Sequence, residues 1–458
     1  EHTSANPNGP LHVGRARNPI LGDTLARLYR AAGHDVEVQY YMDNLGRQVA
    51  TLAWGKWNID PATLPPPGRD KPDHDLVRYY QAAHELAKSD PGVGEQVRRL
   101  VEELESADAR LLERVRPVYE ACFEGMRQSL SRLGAHYDSI KDESDVVLDG
   151  SVERTIQALK RLPIAHVEPD GANYLDLSSV LKGQKDKFFF TRKDGTSVYA
   201  TRDIAYHAWK AQRVQPGRLV NVLGEDHRLQ ALQVGTALDA LGIVRPHVVF
   251  YAFVSLPEGK MSTRANRVVF LDDLLDEAAE RAYEEVKARR GAELAEPEMR
   301  RIAEAVGIAA VRFNIARIQP EKPIEFRWEE ALSFDGDSAP YLLYAHARAA
   351  SLLRECEKAG LRPHATTVPP QEGEQRLLAA VARFATAVQQ AADQYAPHRM
   401  AAYALELASA FNEYYRDHRV LECEDAQQQA LRLRTMDVGR QALRATLETL
   451  GLPVLDSM

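Results

Sequence analysis

The chain has 458 residues, a formal net charge of −8, and 45 % hydrophobic and 27 % charged residues. That length suggests about three domains able to bury cores, and the acidic balance excludes a general polycation, so nucleic-acid binding would need a local patch. The three cysteines, Cys122, Cys356 and Cys423, form no C-x-x-C pair, no apolar run approaches a membrane span and no signal pattern opens the chain. These features exclude a disulfide framework, argue against a cysteine-built zinc site and predict a reducing, cytoplasmic setting without a membrane.

The chain opens on Glu1-His2-Thr3-Ser4-Ala5-Asn6, then Pro7-Asn8-Gly9-Pro10 and Leu11-His12-Val13-Gly14-Arg15. Apolar residues at Leu21, Leu25, Leu28, Tyr29 and Ala32 follow at helical spacing until Gly33 stops them. The pattern predicts an extended segment, a Pro/Gly turn, His-x-Gly and a helix. A helix start offers unpaired N–H groups and the positive end of a dipole, so it suits phosphate. Gly14 would let phosphate approach the backbone and His12 could add a donor. An ordinary strand-turn-helix with a surface histidine is the plainer alternative.

Asp35 to Tyr41 alternates apolar and polar residues and predicts a strand, completing a βαβ unit that points to a parallel sheet. Met42 to Gln48 leaves that strand where open α/β sheets place ligands, either as pocket lining or as a solvated loop. Pro65-Pro66-Pro67-Gly68 breaks the chain, and from about Leu76 to Leu133 the pattern is charged and helical. It reads as an insertion, with the sheet resuming by Tyr174. Lys187 to Ala200 predicts a hairpin around Asp194-Gly195, followed by Tyr199, Thr201, Arg202 and Asp203 entering a helix.

Leu219 to Leu223 and Val248 to Val254 are buried-strand candidates. Between them, Asp226 and His227 suit a ribose hydroxyl or a cation, or simply cap a helix. Pro257 to Arg264 is a polar loop in which Lys260 could meet phosphate and Ser262 add a hydroxyl, although a lone loop lysine is usually solvated. From Leu271 the pattern is almost wholly helical, with a Pro-rich linker at Pro363 to Gly373. Tyr403, Leu407, Phe411 and Tyr414 recur at helical spacing, as do Met436, Leu443, Leu447 and Leu450, and read as bundle core ahead of base-stacking platforms. Acidic and basic residues nearly balance there, which neither supports nor excludes an RNA-binding bundle.

Together these stretches resemble the class I aminoacyl-tRNA synthetases, and within them the arginyl family. His12-Val13-Gly14-Arg15 is similar to the class's nucleotide signature, paired with Lys260-Met261-Ser262-Thr263-Arg264. The arginyl likeness rests on Glu1-x-x-Ser4-x-Asn6-Pro7, Tyr199-x-Thr201-Arg202-Asp203, Val268 to Leu275 and Ala331 to Gly336. It extends through Pro340-Tyr341 with Tyr344 to Arg348 and to the tail at Met458, so it covers essentially the whole chain.

The resemblance implies an α/β Rossmann-type parallel-sheet catalytic domain over 1–255, with a helical insertion at about 65–135. A stem-contact helical region at 256–335 and an all-α anticodon-binding bundle at 336–458 would follow. It implies that arginine and ATP, with Mg2+, give arginyl-adenylate, that arginine passes to tRNA(Arg), and that the first step needs bound tRNA. No structural zinc and a monomer are expected. His12, Lys260 and Ser262 would be catalytic. Glu1, Ser4, Asn6, Tyr199 and Asp203 would line the arginine site. His12, Gly14, Arg15, Asp226, His227, Lys260 and Met261 would bind ATP. Asp203 would face the guanidinium, while Glu1 is open between that end and the α-ammonium.

Arg15 stands where the family usually has a second histidine, and Ala265-Asn266 replaces a common Lys-Gly. Arg327 sits where an acidic residue is common. The family's N-terminal domain, of roughly a hundred residues, is also missing ahead of Glu1, and a truncated fragment is the expectation. Two further readings remain: a catalytically impaired tRNA-binding relative, and another His-x-Gly nucleotidyltransferase that works without RNA.

Overall fold

The computed structural model describes residues 1–181, 186–214, 217–255, 269–334 and 336–458. They divide into two compact units. The first comprises Glu1–Leu11, Glu37–Ser131 and His136–Tyr251, the second His12–Val36, Arg132–Ala135 and Ala252–Met458. The first helix, α1 (Arg17–Ala31), belongs to the second unit.

In the first unit, strand β1 (Gln39–Met42) pairs in parallel with β2 (Ser139–Asp142). Between them in sequence stand α2 (Arg47–Asn58), α3 (Pro72–Ser89), α4 (Pro91–Glu105) and α5 (Ala109–Arg132), so the predicted insertion is helical. Asp90 starts α4 by accepting the N–H of Gly92 at 2.7 Å, while Pro91 occupies the first helical position, where a missing N–H costs nothing. After α6 (Glu143–Leu148) and α7 (Ser151–Lys160) come β3 (Ala165–Val167), β4 (Asn173–Asp176) and β5 (Lys187–Phe189). These three form an antiparallel sheet, so Tyr174 does not resume the parallel one. The expected hairpin is reduced to a turn at Gly195 and a single Thr191–Ser197 bridge. Its second arm is cut short because Tyr199 already opens helix α8 (Tyr199–Arg213).

Strands β6 (Val220–Gly224) and β7 (His247–Tyr251) are parallel, joined through α9 (Arg228–Ala240). The opening segment supplies what lies between the two parallel pairs. Thr3 bridges Tyr40 in parallel on one side, while on the other the Glu1 N–H donates to Val220 O at 2.9 Å and Val222 N–H donates to Glu1 O at 3.0 Å. A core of Tyr41, Leu175, Phe190, Ile204, Tyr206 and Leu238 ties α8 to both kinds of sheet. Each such fully buried apolar side chain stabilises the fold by roughly 1.5–3 kcal/mol.

The second unit contains β8 (Val254–Ser255), α10 (Leu271–Arg290), α11 (Glu296–Ala316), β9 (Ile324–Glu325) and α12 (Trp328–Ala331). Five further helices follow: α13 (Ala339–Lys358), α14 (Glu372–Ala382), α15 (Phe384–Asp393), α16 (Pro397–Asp417) and α17 (Ala426–Thr449). A Cβ at Gly307 would lie 2.7 Å from the backbone of Ala278, so glycine there lets α10 and α11 touch backbone to backbone. Tyr403, Leu407, Phe411 and Tyr414 are buried, as are Met436, Leu443, Leu447 and Leu450. Those stripes are therefore bundle core.

Helix α1 is held by two buried arginines. Arg17 donates to the carbonyls of Ala252 at 2.8 Å, Lys322 at 2.5 Å and Gln319 at 2.5 Å. Arg312 donates to Asp23 Oδ2 at 2.5 Å and to Leu133 O at 2.8 Å. Among the described residues, no helix is long and apolar enough to cross a membrane.

Candidate functional site

In the first unit acidic and phenolic side chains gather around the start of α8 and form a candidate cleft. Tyr199 and Asp203 lie one turn apart on one helix face. Burial, and then the carboxylates of Asp203, Glu143, Asp43 and Glu1, push the Tyr199 phenol well above its ordinary value. The residue is nevertheless 40 % exposed, as expected of a ring at the mouth of such a cleft. Ser4 and Asn6 are half-buried on the opening segment. Glu1 is less open than a free ligand would be, because its Oε2 accepts from Lys210 Nζ at 2.6 Å. Burial raises the Glu1 carboxyl, but the Lys210 charge and hydrogen bond, with the terminal amine and His207, together outweigh it and the net direction is down. Asp226 and His227 sit in a 3-10 turn at the C-terminal end of β6, the first exposed and the second half-buried, with 3.6 Å between Oδ2 and Nε2. That is the end of a parallel strand at which open sheets bind ligands.

The cleft also contains residues that sequence reasoning missed. Glu143, at the start of α6, is fully buried; its Oε1 accepts from Arg202 Nε at 2.8 Å. Burial, with Asp43 adding a like charge, pushes its carboxyl up to about 8, and Arg202 only partly offsets this. Arg202 also lies 3.8 Å from Glu105, which pairs with Arg192 at 2.9 Å. Tyr41 stacks on Tyr206 with ring centres 4.2 Å apart, which fixes its ring. Burial and then Glu143, Tyr199 and Asp203 raise its phenol, which places it within electrostatic reach of the same acids.

Three buried polar atoms here have no hydrogen-bond partner among the described residues: Glu143 Oε2, Arg202 Nη1 and Tyr41 Oη. More than nine in ten buried polar groups are normally paired, so three unpartnered atoms on an ion pair and the phenol beside it make this a candidate recognition site. Asn44, in the loop after β1, is instead a tie: it donates to Ser144 Oγ at 2.8 Å and accepts the Ser144 N–H at 2.9 Å. Its spacing of a hundred residues from Ser144 gives no sequence signal.

In the second unit His12 caps the 3-10 turn Val13–Arg15. Its Nδ1 accepts the N–H of Gly14 at 2.9 Å, so Nδ1 carries no proton and a neutral ring must hold it on Nε2. Burial and then Arg15 lower the His12 pKa, which favours that neutral ring. The exposed face of His12 is therefore an N–H donor. A Cβ on residue 14 would sit 3.0 Å from His12 Nδ1, a tight contact that would press on the cap, so glycine suits the position. Arg15 is exposed beside it. Lys260, Met261 and Ser262 lie outside the described residues.

The second unit also holds a cavity of about 530 Å³ between α13, the turn after α16 and the C-terminal residues. Arg290, Arg348, Arg354 and Arg419 line it with Tyr344, Tyr415 and Met458. The Arg348 guanidinium stands 4.7 Å from both tyrosine ring centres. Cations suited to phosphate beside flat rings suited to stacking make a nucleotide-sized receptor.

Comparison with known proteins agrees with this chemistry. The family model for class I tRNA synthetases (R), catalytic domain, matches residues 1–328, and that for the DALR anticodon binding domain matches 342–458. The chain is 47 % identical to the arginine–tRNA ligase of Methanocella arvoryzae, covering all of this chain and 80 % of the relative. It is 42 % identical to that of Methanothermobacter thermautotrophicus, covering 100 % and 79 %. Among solved structures it superposes on Thermus thermophilus arginyl-tRNA synthetase with a TM-score of 0.85 at 30 % identity, covering 100 % of this chain and 82 % of that one. A Mycobacterium tuberculosis methionyl-tRNA synthetase shares the fold at a TM-score of 0.62 and 15 % identity.

Proposed function

The chain belongs to the class I arginyl-tRNA synthetases and is an arginine–tRNA ligase, and from that premise we propose which residues take the amino acid, the nucleotide and the RNA. Nothing in the comparisons favours a non-catalytic relative. The enzyme joins arginine to ATP, releasing pyrophosphate, and passes the arginyl group to the 3′ end of tRNA(Arg). Carboxylate attack on the α-phosphate is chiefly a matter of positioning and charge stabilisation.

A guanidinium is planar, always charged and carries five donors, so it demands acceptors arranged as a fork. The spare Oε2 of Glu143, with Asp203 and Glu143 both within electrostatic reach of the Tyr41 phenol, supports the arginine assignment more than any other observation. Glu143 and Asp203 take the guanidinium, Tyr199 walls the cleft, and Ser4 and Asn6 meet the polar head. Glu1, already tied to Lys210, serves the α-ammonium end. Lysine, lacking the fork, would leave buried acceptors unpaired and be rejected without editing.

For MgATP as substrate, the His12 Nε2–H donates to phosphate, Gly14 leaves room for it and Arg15 adds charge. Asp226 and His227 take the ribose. Lys260, Met261 and Ser262 join this set on the family pattern alone. The arginine-lined cavity receives an anticodon nucleotide of the tRNA.

ATP–pyrophosphate exchange with arginine, run with and without tRNA(Arg), tests the reaction; exchange that requires tRNA is expected. Asp203→Asn tests the cleft. It should weaken arginine use about a hundredfold, the scale of a lost charged hydrogen bond, with the KM for ATP unchanged. Equal losses for both substrates would overturn the assignment.

A further inference from the structure

Behind the cleft, helix α8 carries two more polar side chains, His207 and Lys210, which are 2 % and 5 % exposed. They lie on the same helix face as Asp203, at spacings of four and seven residues. His207 Nδ1 stands 2.8 Å from the backbone oxygen of Asp203 and 3.0 Å from its Oδ1. Both are acceptors, so Nδ1 carries the proton. On the other side of the ring, Nε2 stands 2.8 Å from Asn221 Nδ2 and 3.4 Å from Lys210 Nζ, both donors. A hydrogen on Nε2 would point at those donors' hydrogens, so the partners assign the neutral Nδ1–H tautomer.

Lys210 in turn donates to Asn221 Oδ1 at 3.3 Å and to Glu1 Oε2 at 2.6 Å. Asn221 is thereby oriented with its oxygen toward the lysine and its amide N–H toward the histidine. A directed chain results, running Glu1, Lys210, Asn221, His207 and the backbone oxygen of Asp203, with every donor facing an acceptor.

We propose that His207 is a positioning residue for arginine recognition: its ring, bonded through Nδ1–H to the Asp203 backbone oxygen and standing 3.0 Å from Oδ1, holds that side chain so that Oδ2 is presented to the substrate guanidinium, with Lys210 and Asn221 locking the tautomer that makes this possible. The inference rests on the reading that Asp203 meets the guanidinium. An aspartate at the rim of a cleft otherwise samples several rotamers, and each must be abandoned on binding. A buried, tautomer-locked donor removes that freedom before the substrate arrives. Lys210 has a second effect at the far end of the chain, since it fixes one oxygen of Glu1 and leaves the other for the α-ammonium.

Calorimetric titration of arginine into the full chain and its variants tests this, with MgATP binding measured in parallel. His207→Leu should weaken arginine about tenfold or more without changing MgATP. His207→Asn places an amide N–H where Nδ1 stood and should restore affinity to within about threefold. His207→Gln reaches the Nε2 position instead and should bind arginine as poorly as the leucine variant. Should the leucine variant not fold, the contrast between asparagine and glutamine decides, and equal affinities overturn the proposal. A leucine variant with native arginine affinity also overturns it. An Asp203→Asn variant that keeps full arginine affinity overturns the reading of the cleft itself, whereas a large loss there with none in His207→Leu overturns the positioning role alone.

Discussion

Each unit buries one acid–arginine pair to nearly the same depth, and the two pairs are built for opposite purposes. Asp23 and Arg312, in the second unit, have side chains 3 % and 0 % exposed; Glu143 and Arg202, in the first, are 0 % and 3 % exposed. Asp23 Oδ2 is shared by two guanidinium groups, from Arg312 at 2.5 Å and Arg27 at 2.8 Å. Burial raises its carboxyl, yet the two cations outweigh burial and hold it below the usual aspartate range. Glu143 has one arginine bond, an Oε2 with no donor among the described residues, and an acidic neighbour, Asp43, close enough to share a proton with it. Arg312 keeps an Nε without a partner among the described residues, so the difference lies in the acids: a buried carboxylate whose charge two cations balance holds a fold together. One with capacity left over is waiting for a third partner.

The largest effect expected from this contrast is on stability. Asp23→Ala leaves Arg312 charged and buried without its anion, an arrangement that costs about 3–5 kcal/mol. Urea unfolding of the variant measures it, and a loss below 1 kcal/mol would erase the distinction. The sign of the pH dependence follows from the lowered carboxyl. The pair's contribution is complete above about pH 4, the unfolded aspartate value, and is lost as pH falls through the lower folded value. Glu143 runs the other way. Its folded pKa lies above the unfolded one, so its contribution to stability declines as pH rises from about 4.3 to about 8.

Next in size is Glu143→Gln. The amide keeps the shape of a carboxyl that is mostly protonated at pH 7, so unfolding free energy should change by less than about 1 kcal/mol. Arginine affinity should fall by ten- to a hundredfold, because a neutral amide cannot match the cation. A variant that loses several kcal/mol of stability but binds arginine normally would make Glu143 a second Asp23.

These two pairs also mark where sequence reasoning stops. Local chemistry was readable: the His-x-Gly turn, the helix behind it, the start of α8 with Tyr199 and Asp203, and the apolar stripes of the bundle all follow from spacing within one element. Long-range placement was not. The opening segment reads as extended, but its partners Tyr40 and Val220 to Val222 lie far along the chain, and no periodicity points to them. Glu143 looks like any acid in the first turn of a helix, where acids are common for dipole reasons. Its function comes from being buried against Arg202, 59 residues later. His207 and Lys210 read as the polar face of α8, because nothing local shows that Asn221 and Glu1 close over them.

The smallest expected effect is also the most direct test of the contrast, since it needs no mutation. With a carboxyl at about 8, Glu143 is mostly protonated at pH 7. Its surroundings include Asp43, Arg202 and Glu105, with Tyr41, Tyr199 and Asp203 on the cleft side. A guanidinium favours the carboxylate, so binding arginine must expel the proton. Affinity should therefore rise with pH below 8, by at most about tenfold per unit, and level off above it. Calorimetry of arginine binding between pH 6 and 8.5 reads the slope, and repeating it in buffers of different ionisation enthalpy counts the proton released. Glu143→Gln should bind weakly with a flat profile. A flat profile in the unaltered chain would mean that Arg202 already holds Glu143 ionised. Glu143 would then be an ionised, charge-balanced acid like Asp23, and the spare oxygen could no longer be what sets the cleft apart.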